Sequence, residues 1–293
     1  IIDQTGSGNI AMNTLFHEGG HAAHFLNIEQ SEVCLNHESL PMTSAWAETQ
    51  SMFMDTTFKS PEWRTRYAKN DDGKLYPFSL YKKAVKKTGV LRPTYLMSIH
   101  AVMSFERDVY ETKKLTKEKV LKLAKKNFKK FFDRSEDSLW LLNIPHIYSF
   151  DSSAGYHGYG LAKIAVMQWQ AYFYTKYGHI IDNKNIGKEM KEVWKDAAKY
   201  TFAQFVKKAT GKKLSTEDYI AAVTKNDDEV IATATERIDR LSEIKKNNQP
   251  VKLKARITMV HGHRKIANNM VSFEDMTIRY AKWINMQRKK QRD

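Results

Sequence analysis

The spacing of apolar residues along the chain is that of helices over most of its length. Apolar positions recur every three to four residues from Asn13 to about Lys246, which is the period of an amphipathic helix. Turn signals such as Ser60-Pro61 interrupt the pattern. The segments with the clearest period predict helices at 14–27, 43–57, 98–110, 116–132, 156–177, 186–210 and 216–223.

The end of the chain has the period of a strand instead. From Val251 to Val260, apolar or small residues alternate with polar ones, and residues 261–263 follow as a turn into a second apolar run. This pattern is typical of a β-hairpin. We therefore predict a mostly α-helical protein with one helical domain over residues 1–246. A C-terminal extension over residues 247–293, with the hairpin and a helix, is expected to pack on it.

The composition fits a globular protein in a reducing compartment. Of 293 residues, 42% are apolar, and the single cysteine, Cys34, excludes an intrachain disulfide. The sequence contains no apolar run of the length that a membrane span requires. We expect a cytoplasmic protein with no membrane partner. Because the first motif lies so close to Ile1, we also expect a missing N-terminal part, which would allow a mitochondrial location if it carried a targeting segment.

The formal net charge of +15 raises the possibility of a nucleic-acid partner, because lysines that contact phosphates release counterions. The lysines recur, however, on the polar faces of amphipathic segments such as 113–130, whose apolar stripe includes Val120, Leu123 and Phe128. A solvated helix face explains this pattern. We therefore expect no nucleic-acid partner, and a basic module for nucleic acid or an acidic partner stays the less favoured alternative.

A five-residue motif predicts a metal site. His17-Glu18-Gly19-Gly20-His21 is an H-E-x-x-H sequence, and residues four apart lie on one helical face, so both imidazoles can reach one ion. Glu18 then lies beside the metal, where it can act as a general base toward water. A catalytic zinc takes three protein ligands and keeps one open position. We predict one Zn²⁺ per chain.

The third ligand is predicted on the next helix. A rival pattern with a glycine and a third histidine at fixed offsets fails, because His24 and Asn27 occupy those positions. Glu48 follows His21 by 27 residues, which leaves room for a loop and a returning helix. The predicted ligands are therefore His17, His21 and Glu48. For His24 we favour a packing or supporting role, since a fourth ligand would close the site.

These motifs resemble those of a known family. Residues 17–24 are similar to the H-E-F-G-H-A-x-H motif of the M3 family of zinc metallopeptidases, the thimet oligopeptidase and oligoendopeptidase group. Residues 48–55 are similar to its E-x-P-S-Q-x-x-E pattern, with departures at Gln50 and Met52 and, in the first motif, at Gly19. None of these departures touches a ligand. The resemblance implies a multi-helical zincin-like catalytic domain, of which this chain is the C-terminal portion.

A weaker match implies the rest of the site. Residues 145–159 resemble the family's H-x-x-x-G-G-Y-x-A-x-Y-Y-x-Y stretch, although the glycine pair is absent and the first tyrosine is a serine. The family's histidine and tyrosines contact substrate and oxyanion, which implies the same for His146, Tyr156 and Tyr159. Together with Glu18 they are the expected catalytic residues.

The resemblance implies an enzyme that hydrolyses peptide bonds in short peptides. Within it, Tyr156 is the favoured donor to the oxyanion. Asp55, two turns beyond Glu48, is expected to hydrogen-bond a ligand imidazole. A homologue that binds zinc without turnover stays an alternative, because the sequence departs from the family near Asp151.

Overall fold

The computed structural model describes residues 8–35, 42–70, 72–133, 138–149, 153–247 and 254–290. They are mostly helical with one antiparallel strand pair, which confirms the predicted fold class. The chain divides into two compact units, residues 1–244 and 245–293. The elements are α1 (Gly8–Phe25), α2 (Ser44–Lys59), α3 (Pro61–Tyr67), α4 (Phe78–Thr88), α5 (Thr94–Tyr110), α6 (Lys117–Phe132), α7 (His157–Tyr177), α8 (Lys184–Trp194), α9 (Phe202–Thr210), α10 (Glu217–Thr224), α11 (Asp227–Ser242), β1 (Thr258–His261), β2 (Arg264–Asn268) and α12 (Phe273–Lys290).

Helix α2 is the centre of the first unit. It packs against α1 on one side and α7 on the other. Trp46 is 1% exposed and stacks on Phe205 of α9, with ring centres 4.4 Å apart. Phe53 contacts Trp169 and Phe173 of α7. Because these large rings fix α2 between its neighbours, they also determine where the polar edge of α2 lies.

A second apolar cluster anchors the segment before α7. Val102 and Phe105 of α5 pack against Ala124 of α6, and Leu141 joins them from a short 3₁₀ turn at Trp140–Asn143. A following 3₁₀ turn, Pro145–Tyr148, contributes Ile147 to the same cluster. The backbone that carries His146 is therefore tied to α5 and α6.

The predicted helix at 186–210 is wrong in its length, because the structure has two helices there, α8 and α9. Between them Ala197 adopts a positive φ of 48°. The amide of Ala198 donates to the carbonyl of Leu35, and Thr201 begins α9 with a capping box. The spacing of apolar residues also does not predict α3, α4 and α11 as separate helices.

The second unit contains the predicted hairpin in a shorter form. Strand β1 pairs antiparallel with β2, with an irregularity between Met259 and Val260. The predicted strand start at Val251 is wrong for the described residues 254–257, while 251–253 lie outside the described residues. Strand β2 ends at Asn268, and the next residue continues the contact with the chain before β1. The backbone amide of Asn269 donates to the carbonyl of Ile257, and its side chain accepts from the Ile257 amide and donates to the Ala255 carbonyl. The packing of this unit on the first stays a prediction.

Candidate active site

The two helices that carry the metal motif touch at Gly20. A Cβ on this residue would lie 2.7 Å from the carbonyl oxygen of Gln50 and from Cα of Ser51, so only glycine allows this approach of α1 to α2. The neighbouring Gly19 faces open space. The close contact places His17 and His21 of α1 opposite the polar edge of α2, where Glu48 lies.

The structure brings the three predicted ligands together. Nε2 of His17 is 3.3 Å from Oε2 of Glu48, and Nε2 of His21 is 3.8 Å from the same oxygen. One ligand atom from each of these residues lies within 4.8 Å of the other two. In a tetrahedral zinc site with bonds of about 2.1 Å, ligand atoms are separated by about 3.4 Å. Two imidazoles and one carboxylate at these distances fit a zinc ion.

Charge holds this cluster together. Burial lowers the pKa of His17, but its contacts with Asp55 and Glu48 outweigh burial and raise that pKa to about 9. Burial raises the pKa of Glu48, and the hydrogen bond with His17 and the two nearby histidines reverse the effect and lower it. The Ser51 hydroxyl adds a hydrogen bond of 3.0 Å to Oε2 of Glu48. Without metal, a protonated His17 therefore pairs with the Glu48 carboxylate.

Asp55 lies where the sequence predicts it. Its Oδ2 is 3.3 Å from Nδ1 of His17, and its Oδ1 is 3.9 Å from Nζ of Lys59. A carboxylate on the second nitrogen of a ligand imidazole fixes the tautomer that presents Nε2 to the metal. Asp55 therefore orients His17.

His24 packs instead of binding. It is fully buried among Phe25, Trp46 and Trp194, and neither ring nitrogen bonds a described residue. Burial, and then the charge of His21, lowers the pKa of His24 to about 4. The imidazole is therefore a neutral part of the core behind the site.

Gln50 shows how this chain tolerates a departure from the family pattern. The side chain is fully buried, donates to the carbonyl of Trp46 and accepts a 2.7 Å hydrogen bond from Nε1 of Trp194. Both ends of the amide are satisfied, so the polar side chain costs little in the core.

Glu18 is exposed on α1 beside His17, and it makes no hydrogen bond or ion pair to any described residue. An unengaged carboxylate next to a metal ligand is free to accept a proton from water. The role of Glu18 as general base stays a prediction.

The weaker motif forms an aromatic cluster. The hydroxyl of Tyr159 and Nε2 of His146 are 3.1 Å apart and share a hydrogen bond. Ring centres of His146, Tyr156 and Tyr159 lie 5.1 to 5.8 Å from one another. Gly158 lets the start of α7 approach α2, since a Cβ there would collide with Ser44.

The two tyrosines differ in their surroundings. Burial raises the pKa of Tyr159, and the carboxylate of Glu48 is the next cause, so this phenol lies close to the ligand set. Burial and then Glu106 raise the pKa of Tyr156, whose hydroxyl bonds no described residue. Tyr159 therefore connects the aromatic cluster to the metal ligands, while the Tyr156 hydroxyl is available to donate a hydrogen bond to a ligand.

Two residues near the site were missed by sequence reasoning. Tyr95 of α5 has its pKa raised by burial and by neighbouring groups that include Tyr156, Asp55 and Glu48. The ammonium of Lys163 on α7 is 5.9 Å from the centre of the Tyr95 ring. The sequence offers no local signal for Tyr95, but Lys163 lies four residues beyond Tyr159, which places both on one face of α7.

An H-E-x-x-H helix, a glutamate from the following helix and nearby tyrosine donors define a metallopeptidase-type site. The chain belongs to peptidase family M3, since the sequence model of that family matches residues 10–225. This confirms the predicted family and assigns the chain to the peptidases. No curated protein matches the chain in sequence.

Proposed function

We propose that this peptidase hydrolyses peptide bonds of short peptides with zinc as its metal. The observation that carries the proposal is the meeting of His17, His21 and Glu48, with ligand atoms within 4.8 Å of one another. Three protein ligands of this kind leave a fourth position for water or substrate, which is the arrangement of catalytic rather than structural zinc.

A zinc ion held by His17, His21 and Glu48 would act as a Lewis acid that polarises the peptide carbonyl and lowers the pKa of water. Glu18 accepts the proton of the attacking water and later delivers it to the departing amine. Asp55 keeps the His17 ring in place through Nδ1, 3.3 Å from its carboxylate. The hydrogen-bond distance between Asp55 and His17 supports the second of these roles, and the place of Glu18 next to His17 in the sequence supports the first.

The aromatic cluster supplies donors for the oxyanion. Tyr156 has a hydroxyl that bonds no described residue, so it can donate to the carbonyl oxygen as negative charge develops. Tyr159 shares a hydrogen bond with His146 and lies near Glu48, which suits it to position the peptide backbone. The two roles are separable by substitution.

Short peptides are the only partners that this function requires, and it needs neither nucleic acid nor a membrane. Among the described residues, no helix is both long and apolar enough to cross a bilayer. We place the enzyme in the cytoplasm as part of the proposal, on the single cysteine alone.

The test is cleavage of a mixture of quenched fluorescent peptides by the purified chain, with and without a chelator, alongside Glu18→Gln. The expected result is cleavage that the chelator abolishes and that Glu18→Gln lowers by about 10² to 10⁴ while one zinc per chain remains. Bound zinc without any cleavage would favour the alternative of an inactive homologue. Cleavage that is unchanged both by the chelator and by Glu18→Gln would refute the assignment.

A further inference from the structure

Helix α7 places a cation on the face that carries the tyrosines. Lys163 lies four residues after Tyr159 and seven after Tyr156, so the three side chains project from one side of the helix. Its side chain is half-buried. Burial lowers the pKa of Lys163, and the carboxylate of Asp55 opposes that change, so Asp55 is close enough to act on it.

Lys163 has no carboxylate partner of its own among the described residues. Its ammonium rests over the Tyr95 ring, 5.9 Å from the ring centre, and no described carboxylate lies within 4.0 Å of it. Asp55, the carboxylate whose charge acts on Lys163, is already engaged by His17 at 3.3 Å and approached by Lys59 at 3.9 Å. The charge of Lys163 is therefore not matched by an ion pair within the protein.

A half-buried ammonium without an ion pair is unfavourable, because partial desolvation is not offset by a contact with an opposite charge. Tyr95 offsets part of this through its ring. Tyr95 is 37% exposed, so the Lys163–Tyr95 pair is in part open to solvent. An anionic group of a ligand would complete the pair.

We propose that Lys163 binds a carboxylate of the peptide substrate. The enzyme therefore selects peptides that carry a carboxylate close to the cleaved bond. This inference rests on the proposed peptidase function. Four to seven residues of helix separate Lys163 from the two tyrosines, a rise of about 6 to 10 Å. Since an extended peptide advances about 3.3 Å per residue, the carboxylate lies about two or three residues from the cut.

Two sources of that carboxylate are distinguished by substrate design. The first set consists of pairs of quenched peptides that differ only in having Glu or Gln at one position. That position is varied from one to three residues on either side of the cut. A second pair ends in a free carboxylate or in a carboxamide. The ratio of kcat/KM within each pair is the readout, so a general loss of activity does not affect it.

Wild type is expected to prefer the carboxylate member of one pair at least tenfold. Lys163→Met keeps the length of the side chain and should bring the ratio close to one, Lys163→Glu should invert it, and Lys163→Arg should keep most of it. Lys188→Met is the control, since Lys188 is exposed on α8 and makes no ion pair with a described residue; its ratio should equal that of wild type. A wild-type ratio near one, or a ratio unchanged in Lys163→Met, overturns the proposal. So does an equal loss on every peptide, which would mean that Lys163 only balances Asp55.

Binding separates this inference from the proposed function. In a zinc-loaded Glu18→Gln background, fluorescence anisotropy of labelled carboxylate and carboxamide peptides reports selectivity without turnover. Selective binding that Lys163→Met abolishes, together with wild type that never cleaves, would keep the Lys163 site and reject the peptidase. Chelator-sensitive cleavage with no selectivity in either assay would keep the peptidase and reject the Lys163 site.

Discussion

The two halves of the site are built on different physical principles. The metal half joins α1 and α2, and charge holds it together: a protonated His17 faces Glu48 at 3.3 Å. The aromatic half joins the Pro145–Tyr148 turn to the start of α7, and contacts between aromatic rings with one shared hydrogen bond hold it together. Tyr159 connects them through its proximity to Glu48.

The difference separates binding from turnover. Removing a charged side chain from the metal half lowers the affinity for zinc, because a ligand and its charge are lost together. Removing a hydroxyl from the aromatic half leaves the ligand set intact and takes away only a donor to the oxyanion. We therefore expect substitutions in the two halves to affect zinc content and rate separately.

The largest effect is expected from Glu48→Gln, which removes the only carboxylate of the ligand set. Zinc content, measured by elemental analysis, should fall from about one per chain to near zero, and cleavage should be lost with it. Glu32→Gln, an exposed acid before the Val33–Leu35 turn, is the control and should retain zinc. Full zinc content in Glu48→Gln would mean that another residue completes the site.

Next come Tyr156→Phe and Tyr159→Phe in the aromatic half. Loss of an oxyanion donor costs about 10² to 10³ in kcat, and we expect this for Tyr156→Phe with zinc content unchanged. Tyr159→Phe should act more on KM, because this residue is proposed to position the peptide. If either substitution also removed zinc, the two halves would not be independent.

A smaller effect concerns stability and pH, and it comes from His24 behind the metal half. Its folded pKa of about 4 lies below the ordinary value of 6.5, so on acidification the unfolded chain takes up a proton before the folded one does. Above pH 6.5 the imidazole is neutral in both the folded and the unfolded chain, so it does not change the free energy of unfolding. Below pH 6.5 the free energy of unfolding falls as the pH drops toward 4. Between pH 7.5 and 5, metal-free wild type should lose about 2 kcal/mol more than His24→Met. Urea unfolding of both proteins in chelator measures this; equal losses would contradict a buried, neutral His24.

The smallest effect is expected at Gly19, and the neighbouring Gly20 is the comparison for it. Gly20→Ala forces a Cβ to 2.7 Å from the backbone of α2 and should destabilise the protein by at least about 1 kcal/mol. Gly19→Ala meets open space and should stabilise α1 by up to about 1 kcal/mol. Thermal unfolding of the two variants gives the comparison, and destabilisation by both would show that the contact with α2 is not specific to Gly20.

The meeting of His17, His21 and Glu48 can be predicted from the sequence because the information for it is local. A four-residue spacing puts His17 and His21 on one face of a helix whatever surrounds it, and Glu48 follows at a distance that one loop can span. The helix break between Trp194 and Thr201 is different, because it depends on a hydrogen bond from Ala198 to Leu35, far away in the chain. Such contacts leave no trace in the apolar period.

Lys163 illustrates the same limit within the site. Its position on the tyrosine face follows from helical spacing, but its lack of an ion pair does not. That depends on Asp55 being used by His17, a contact between α2 and α1 that only the folded structure shows. Tyr95 has no signal in the sequence because α5 brings it to the site through packing against α6 and α7.

The close contact at Gly20 has a consequence for how fast the site takes up its metal. Backbone atoms of α1 and α2 meet there, so sliding one helix along the other by a turn, about 5.4 Å, would separate the ligands and break the contact. The ligand atoms are thus in position before an ion arrives. We therefore expect uptake to require loss of water from the incoming ion and of the proton from His17, without a slow rearrangement of helices before it.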